Sequence, residues 1–315
     1  MKAHPVDVSI VVPLFNEEKV LPELIKRLDA LMAGSSLAIQ AVLVNDGSSD
    51  QTEAMIREIV QANPAHYKGV LLSRNFGHQV AVTAGLDHVD ALHAVMVIDG
   101  DLQDPPELLE DMYRLLGKGY DVVYAVRKNR KESFLKKLSY DFFYRIINWL
   151  TDGMIPRDSG DFAMFTVRVN DEIRRMPEKI RFIRGLRAFV GFRQVGLEYD
   201  RKARFSGDSK YSWKALFRLA SDGIFNFSDK PLKLIFTAGI SVCLLGLAYL
   251  GVILYKKYFL NEVIEGFTST LVLFIFFNGA QLISLGIIAE YISRIYIESK
   301  NRPTYVLKEV VERNF

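Results

Sequence analysis

The chain has 315 residues, half of them hydrophobic, a single cysteine and a mean hydropathy of +0.10. That apolar content excludes a disordered chain, and the lone Cys243 excludes an intrachain disulfide framework or a cysteine-cluster zinc site. The net charge of +3 averages two unlike parts: residues 1–126 carry 9 basic and 18 acidic side chains, residues 127–315 carry 31 and 19. Such a split points to two functional environments on one chain.

Apolar runs alternate with helical patterns through the acidic part. Val8–Val12 precedes a helix from Val20 to Met32, and Ala41–Val44 precedes one from about Thr52 to Gln61. Val70–Leu72, a helix from about Val80, Ala94–Ile98 and Val122–Ala125 follow. Strand–helix alternation with strands this apolar predicts an α/β domain built on a mostly parallel, doubly wound sheet. Ligands on such sheets bind at the carboxyl ends of the strands. Polar runs sit at those ends: Pro13-Leu14-Phe15-Asn16-Glu17-Glu18 after the first, and Asn45-Asp46-Gly47-Ser48-Ser49-Asp50-Gln51-Thr52 after the second. Taken alone, Asp46-Gly47 is a turn and Ser49 or Asp50 a helix cap.

Ile98-Asp99-Gly100-Asp101-Leu102-Gln103-Asp104-Pro105-Pro106 is the decisive run. Three acids and an amide at the end of an apolar strand repel one another unless a cation joins them. Oxygen ligands at this density suit Mg²⁺ or Mn²⁺. The alternative is a surface turn before a helix begun at Pro105 or Pro106. The five histidines (His4, His66, His78, His88, His93) show no metal-ligand spacing.

The basic part is different in kind. Phe134, Leu138, Phe142, Ile146 and Leu150 recur every four residues, as do Lys210, Lys214, Arg218 and Asp222. Each stripe is either an ordinary helix packed on a core or an interfacial helix lying on a bilayer. Leu234–Leu254 and Phe267–Ala289 then run for 21 and 23 residues without a charge. About 20 such residues span a hydrocarbon core. Nothing at the N-terminus reads as a signal peptide. Lys230 and Lys233 before the first run, and Arg294, Lys300, Arg302 and Lys308 after the second, place both termini in the cytoplasm.

These residues carry a resemblance. VVPLFNEE, NDGSSDQT, SRNFGHQVAVTAGL (Ser73–Leu86) and DGDLQDPPE, in that order, resemble family 2 glycosyltransferases of the GT-A fold. Ser159-Gly160-Asp161-Phe162, Arg204 with Lys210, and the hairpin ending in EYISRIYIESKNRP (Glu290–Pro303) are similar to polyprenyl-phosphate glycosyltransferases. That group includes GtrB-type bactoprenyl glucosyltransferases and dolichyl-phosphate mannose synthases. The similarity spans nearly the whole chain. It implies a GT-A, Rossmann-like unit over 1–209 with an interfacial helix at about 133–150, and an amphipathic juxtamembrane helix over 210–231. A two-helix transmembrane hairpin over 232–290 and a cytoplasmic tail over 291–315 complete the expected division.

The resemblance also implies roles. Pro13, Glu17 and Asp46 would hold the nucleotide base and ribose. Asp99, Asp101 and Gln103 would arrange an Mg²⁺ or Mn²⁺ ion and the diphosphate, and Arg127 would meet phosphate. Arg204 and Lys210 would meet donor or acceptor phosphates. Asp161 or Asp158 would position the acceptor or take up its remaining proton. Relatives often read G-D-F-R where this chain has Gly160-Asp161-Phe162-Ala163, so that arginine's contact is missing or supplied elsewhere, as by Arg168.

The expected activity is inverting transfer of a hexose, glucose favoured, from a nucleotide sugar such as UDP-glucose to undecaprenyl (bactoprenyl) phosphate. The expected setting is the cytoplasmic face of the inner membrane, with membrane lipids as partners, a homo-oligomeric state and no nucleic acid. Three alternatives compete. A processive polysaccharide synthase would carry Q-x-x-R-W, which does not occur here, and more spans. A diacylglycerol glycosyltransferase would give a product stable to mild acid. A non-catalytic nucleotide-sugar-binding membrane protein would not need an intact D-x-D.

Overall fold

The computed structural model describes residues 5–128, 159–200, 225, 228–259 and 266–312. Strands β1 (Val6–Leu14), β2 (Ile39–Asn45), β3 (Tyr67–Leu72) and β4 (Ala91–Val97) alternate with helices α1 (Leu21–Gly34), α2 (Thr52–Ala62) and α3 (His78–Asp87). A short 3₁₀ turn at Pro106–Leu108, helix α4 (Leu109–Leu116) and strand β5 (Val122–Lys128) follow. Beyond them come β6 (Ser159–Thr166), α5 (Val167–Arg175), α6 (Ile183–Phe189) and β7 (Gln194–Asp200).

These strands, with β8 (Leu307–Val311), form one sheet in the order β7-β5-β6-β4-β1-β2-β3-β8. The β4-β1-β2-β3 block and the β5-β7 pair are parallel; β6 and β8 run antiparallel to their neighbours. The expected α/β, Rossmann-like sheet is therefore present, with one antiparallel strand set inside it. Alternation along each strand divides the core into two layers. Val8, Ile10, Val12 and Leu14 of β1 pack with Leu21, Leu24 and Leu28 of α1 and with Ile56, Val60, Leu109 and Met112. Val11, Val42, Val44 and Val70 face Ala81, Val82 and Ala84 of α3 on the other side. Both faces are covered, which is why these strands read as unbroken apolar runs.

Helices α7 (Lys230–Phe259) and α8 (Phe267–Ser299) have 30 and 33 residues. At about 1.5 Å per residue each exceeds the roughly 30 Å of a hydrocarbon core. Both are long and apolar enough to cross a membrane, and their large side chains point outward: Leu245 is 70% exposed and Phe274 66%. The two stripes expected at 133–150 and 210–224 lie outside the described residues.

The C-terminal segment holds a strand where the sequence suggested only a tail. β8 pairs with β3 (Gly69 with Val311, Leu72 with Leu307). Ion pairs reinforce it: Lys308 to Glu53 (2.8 Å), Arg57 to Glu309 (2.8 Å), and the nearly buried Lys68 to Glu312 (3.2 Å) and Asp90 (2.7 Å). Tyr305 donates its hydroxyl to Asp87 (2.9 Å). The end of α8 also touches the domain, where Glu298 accepts the Lys179 N–H (2.7 Å).

Candidate active site

The loops after β1 and β2 are laced together where their strands end. Asn16 N–H donates to Ser48 Oγ (3.0 Å), Glu17 N–H to Thr52 Oγ1 (3.0 Å) and Ser49 N–H to Asn16 Oδ1 (2.9 Å). Asp46 is buried, and its two carboxylate oxygens accept the backbone N–H groups of Phe76 (2.7 Å) and Gly77 (3.0 Å). Burial pushes its pKa up and prevails over the pull of those two donors. Gly47 has φ of +63°, and a Cβ there would lie 2.2 Å from the Arg74 carbonyl carbon. Only glycine lets the 73–77 loop lie on this turn.

The Asp99-Gly100-Asp101 turn packs against the end of β1. A Cβ at Gly100 would fall 2.6 Å from Leu14 Cδ2 and 3.1 Å from the Pro13 carbonyl oxygen. Asp101 accepts the Gln103 N–H (3.1 Å), across Leu102 in the left-handed region at φ 62°. Asp104 turns inward instead: buried, it accepts the Asp99 N–H (3.3 Å) and the Tyr199 hydroxyl (3.1 Å). It holds the turn rather than facing a ligand. Among the described residues no three His, Cys, Asp or Glu side chains gather closely enough to enclose a metal ion. A divalent cation of the Mg²⁺ type takes only one or two carboxylates and completes its shell with substrate phosphate and water, so Asp99 and Asp101 would suffice to hold one.

Residues 77–79 tie these carboxylates together. Gly77 N–H lies on Asp46. His78 Nε2 is 3.5 Å from both Asp99 Oδ1 and Asp161 Oδ2. Gln79 Nε2 donates to Asp161 Oδ2 (2.8 Å), while its Oε1 accepts the Ile183 N–H (2.8 Å) at the start of α6. Arg184 adds a third donor to Asp161 Oδ2 (3.3 Å), and the fully buried Arg187 donates to the Gly160 carbonyl (3.1 Å).

The Asp161 side chain is 7% exposed. Burial opposes its ionisation, but Arg184, His78 and Arg187 outweigh it and hold the carboxyl far below the usual range. Partial desolvation opposes charge on the His78 imidazole, which is still 40% exposed, yet Asp161 and Asp99 push its pKa up to about 9. Arg187 is pushed down to about 10 by its burial.

The structure thus brings Pro13, Glu17, Asp46, Asp99, Asp101, Gln103 and Asp161 to one edge of the sheet. Arg127 lies near the end of β5, whose pairing of Val126 with Ser159 puts it at the same edge. Asp158, Arg204 and Lys210 lie outside the described residues. Arg168 sits beyond the far end of β6 with its guanidinium over Phe192 (4.6 Å), so it does not reach Asp161. Two other arginines reach the Gly160–Asp161 segment: Arg184 at the Asp161 carboxylate and Arg187 at the Gly160 carbonyl.

His78, Gln79, Arg184 and Arg187 were missed by reasoning from the sequence. His78 and Gln79 stand inside the quoted Ser73–Leu86 run, the only signal they gave. The two arginines sit in a short helix with no motif of its own.

Comparison with known proteins shows the family. Residues 9–174 match the glycosyl transferase family 2 model, and residues 230–295 match the GtrB C-terminal hairpin. Glycosyltransferase YkcC of Bacillus subtilis (strain 168) is 45% identical over 98% of this chain and 95% of its own length. The bactoprenol glucosyl transferase of Shigella phage SfV is 35% identical over 96% of this chain and 98% of its own. Its counterpart in Shigella flexneri, derived from the SfII prophage, is also 35% identical, over 96% and 97%. The chain belongs to glycosyl transferase family 2 and carries the GtrB C-terminal hairpin.

Proposed function

We propose that this glycosyltransferase moves one hexose, with inversion, from a nucleotide sugar to a polyprenyl phosphate at the cytoplasmic face of a membrane. UDP-glucose is the favoured donor. The observation that carries the reading is that Gly77 and His78 join Asp46, Asp99 and Asp161 at the strand ends, beside Asp101, on a chain that also carries two membrane-length helices. The names of the bactoprenol relatives support the lipid acceptor.

In this reading Pro13, Glu17 and Asp46 border the nucleoside, and Asp46 acts by holding the 76–77 backbone in place. Asp99 and Asp101, with Gln103, would hold a divalent cation, which when bound stabilises charge on the leaving diphosphate. Arg127, whose backbone lies near the end of β5, would meet phosphate, and Arg204 and Lys210 would offset repulsion between two phosphate-bearing substrates. The anomeric C–O bond to the diphosphate breaks as an acceptor phosphate oxygen attacks from the opposite face. A phosphate monoester is already anionic near neutrality, its second pKa being about 6. A strong base is therefore unnecessary. The cations around Asp161 favour an orienting role over proton abstraction, since so stable a carboxylate is a very weak base.

The test is a screen of labelled nucleotide sugars against undecaprenyl phosphate in membranes. UDP-glucose should give an organic-extractable, acid-labile lipid whose mass shows one added hexose. Absence of sugar from the lipid fraction with every donor would overturn the reading. A product stable to mild acid would point to diacylglycerol as the acceptor instead.

A further inference from the structure

Gln79 occupies a position with only one chemically permitted orientation. The Ile183 N–H can only donate, so the Gln79 amide oxygen must face it at 2.8 Å. The NH₂ end is then directed at Asp161, an ionised carboxylate that can only accept, also at 2.8 Å. His78 (3.5 Å) and Arg184 (3.3 Å) converge on the same oxygen, Oδ2. Oδ1 is buried and, among the described residues, has no hydrogen-bond partner. Three donors on one oxygen fix the plane of the carboxylate. Of the three, Gln79 makes the shortest contact and is itself held at its other end by the backbone of α6.

We infer that Gln79 is a positioning residue for the transfer reaction, acting through Asp161: its amide locks the carboxylate between α3 and α6 and so sets where His78 and Arg184 stand in the crevice. The inference rests on the orienting role proposed above for Asp161. A purely structural role, pinning α6 to α3, would need only the amide oxygen. The two ends of one side chain therefore separate the two roles.

The experiment uses the full-length chain in membranes, with UDP-glucose and undecaprenyl phosphate as substrates. Gln79→Glu keeps an acceptor for Ile183 but turns the donor facing Asp161 into a second acceptor. Its kcat should fall at least about tenfold, with KM for the nucleotide sugar within about twofold of the unmodified enzyme. In an Asp161→Asn background the same change should cost less than about twofold, because residues acting through one another are not additive. Where thermal melting shows that Gln79→Glu does not fold, Gln79→Met is carried through the same pair of backgrounds and must show the same loss of effect.

A Gln79→Glu enzyme with normal kcat would overturn the inference, as would equal losses in both backgrounds. Full activity in Asp161→Asn alone would remove Asp161's role and this inference with it. Lack of lipid-linked product from the unmodified enzyme would instead overturn the reaction proposed above, so the two failures are told apart.

Discussion

Asp46 and Asp101 both precede or follow glycine in a turn, yet their surroundings assign them different work. Asp46 gives both oxygens to backbone N–H groups, so Asp46→Asn strands one of those donors. A buried group left without its partner costs about 1–3 kcal/mol. The melting temperature should drop, with a parallel loss of nucleotide affinity as the 76–77 backbone loosens. Asp101 gives one oxygen to the Gln103 N–H within its own turn. Asp101→Ala should abolish transfer in a protein that still folds; near-normal turnover would remove it from the metal site.

Asp161 also makes a pH prediction. Its folded pKa lies below the ordinary 3.8, so its ionic contacts stabilise the fold above that value and are lost as pH falls through the folded one. The melting difference between the unmodified protein and Asp161→Asn should be full at neutrality and narrow in acid. A difference that grew in acid would contradict the assignment.

At the level of elements, β8 makes a direct prediction. Deleting residues 304–315 would strip the edge of β3, leave Lys68 with Asp90 as its remaining ion-pair partner and free Tyr305's hold on Asp87. Amide exchange in Tyr67–Leu72 should rise while exchange in β1 stays slow; unchanged protection of β3 would show that the strand contributes nothing.

This same element marks where sequence reasoning stops. β1, β2 and β4 were legible because burial on both faces forces continuous apolar runs. β8 lies at an edge, is largely exposed, and draws on main-chain bonds and ion pairs that a sequence such as Leu307-Lys308-Glu309-Val310-Val311 does not advertise. The site divides similarly. Carboxylates at the ends of parallel strands could be read because the chain topology brings such ends together. Gln79 and Arg184 could not, since their partners are 82 and 23 residues away and meet them only once β6 inserts antiparallel beside β4.

For the whole molecule, the uneven charge has found a partial location. Acids of the first 126 residues line the crevice at Asp46, Asp99 and Asp101, and the first 126 residues end just before Arg127, where the basic part begins. The two long apolar helices stand between the seventh strand and the eighth. A chain cut after residue 229 therefore loses its anchor and a sheet edge together. Excising 230–299 and joining the ends through a flexible linker should give a protein that melts higher than the simple truncation while binding UDP; equal melting would show that β8 does not need restoring.

The order of manufacture follows from the same arrangement. The strand that closes the β3 edge is made only after both apolar helices, so the enzyme domain stays open at that edge while they are handed to the bilayer. Closure of the sheet is therefore among the last events of synthesis, because Leu307–Val311 emerges after both long helices and brings Lys308 and Glu309 to Glu53 and Arg57.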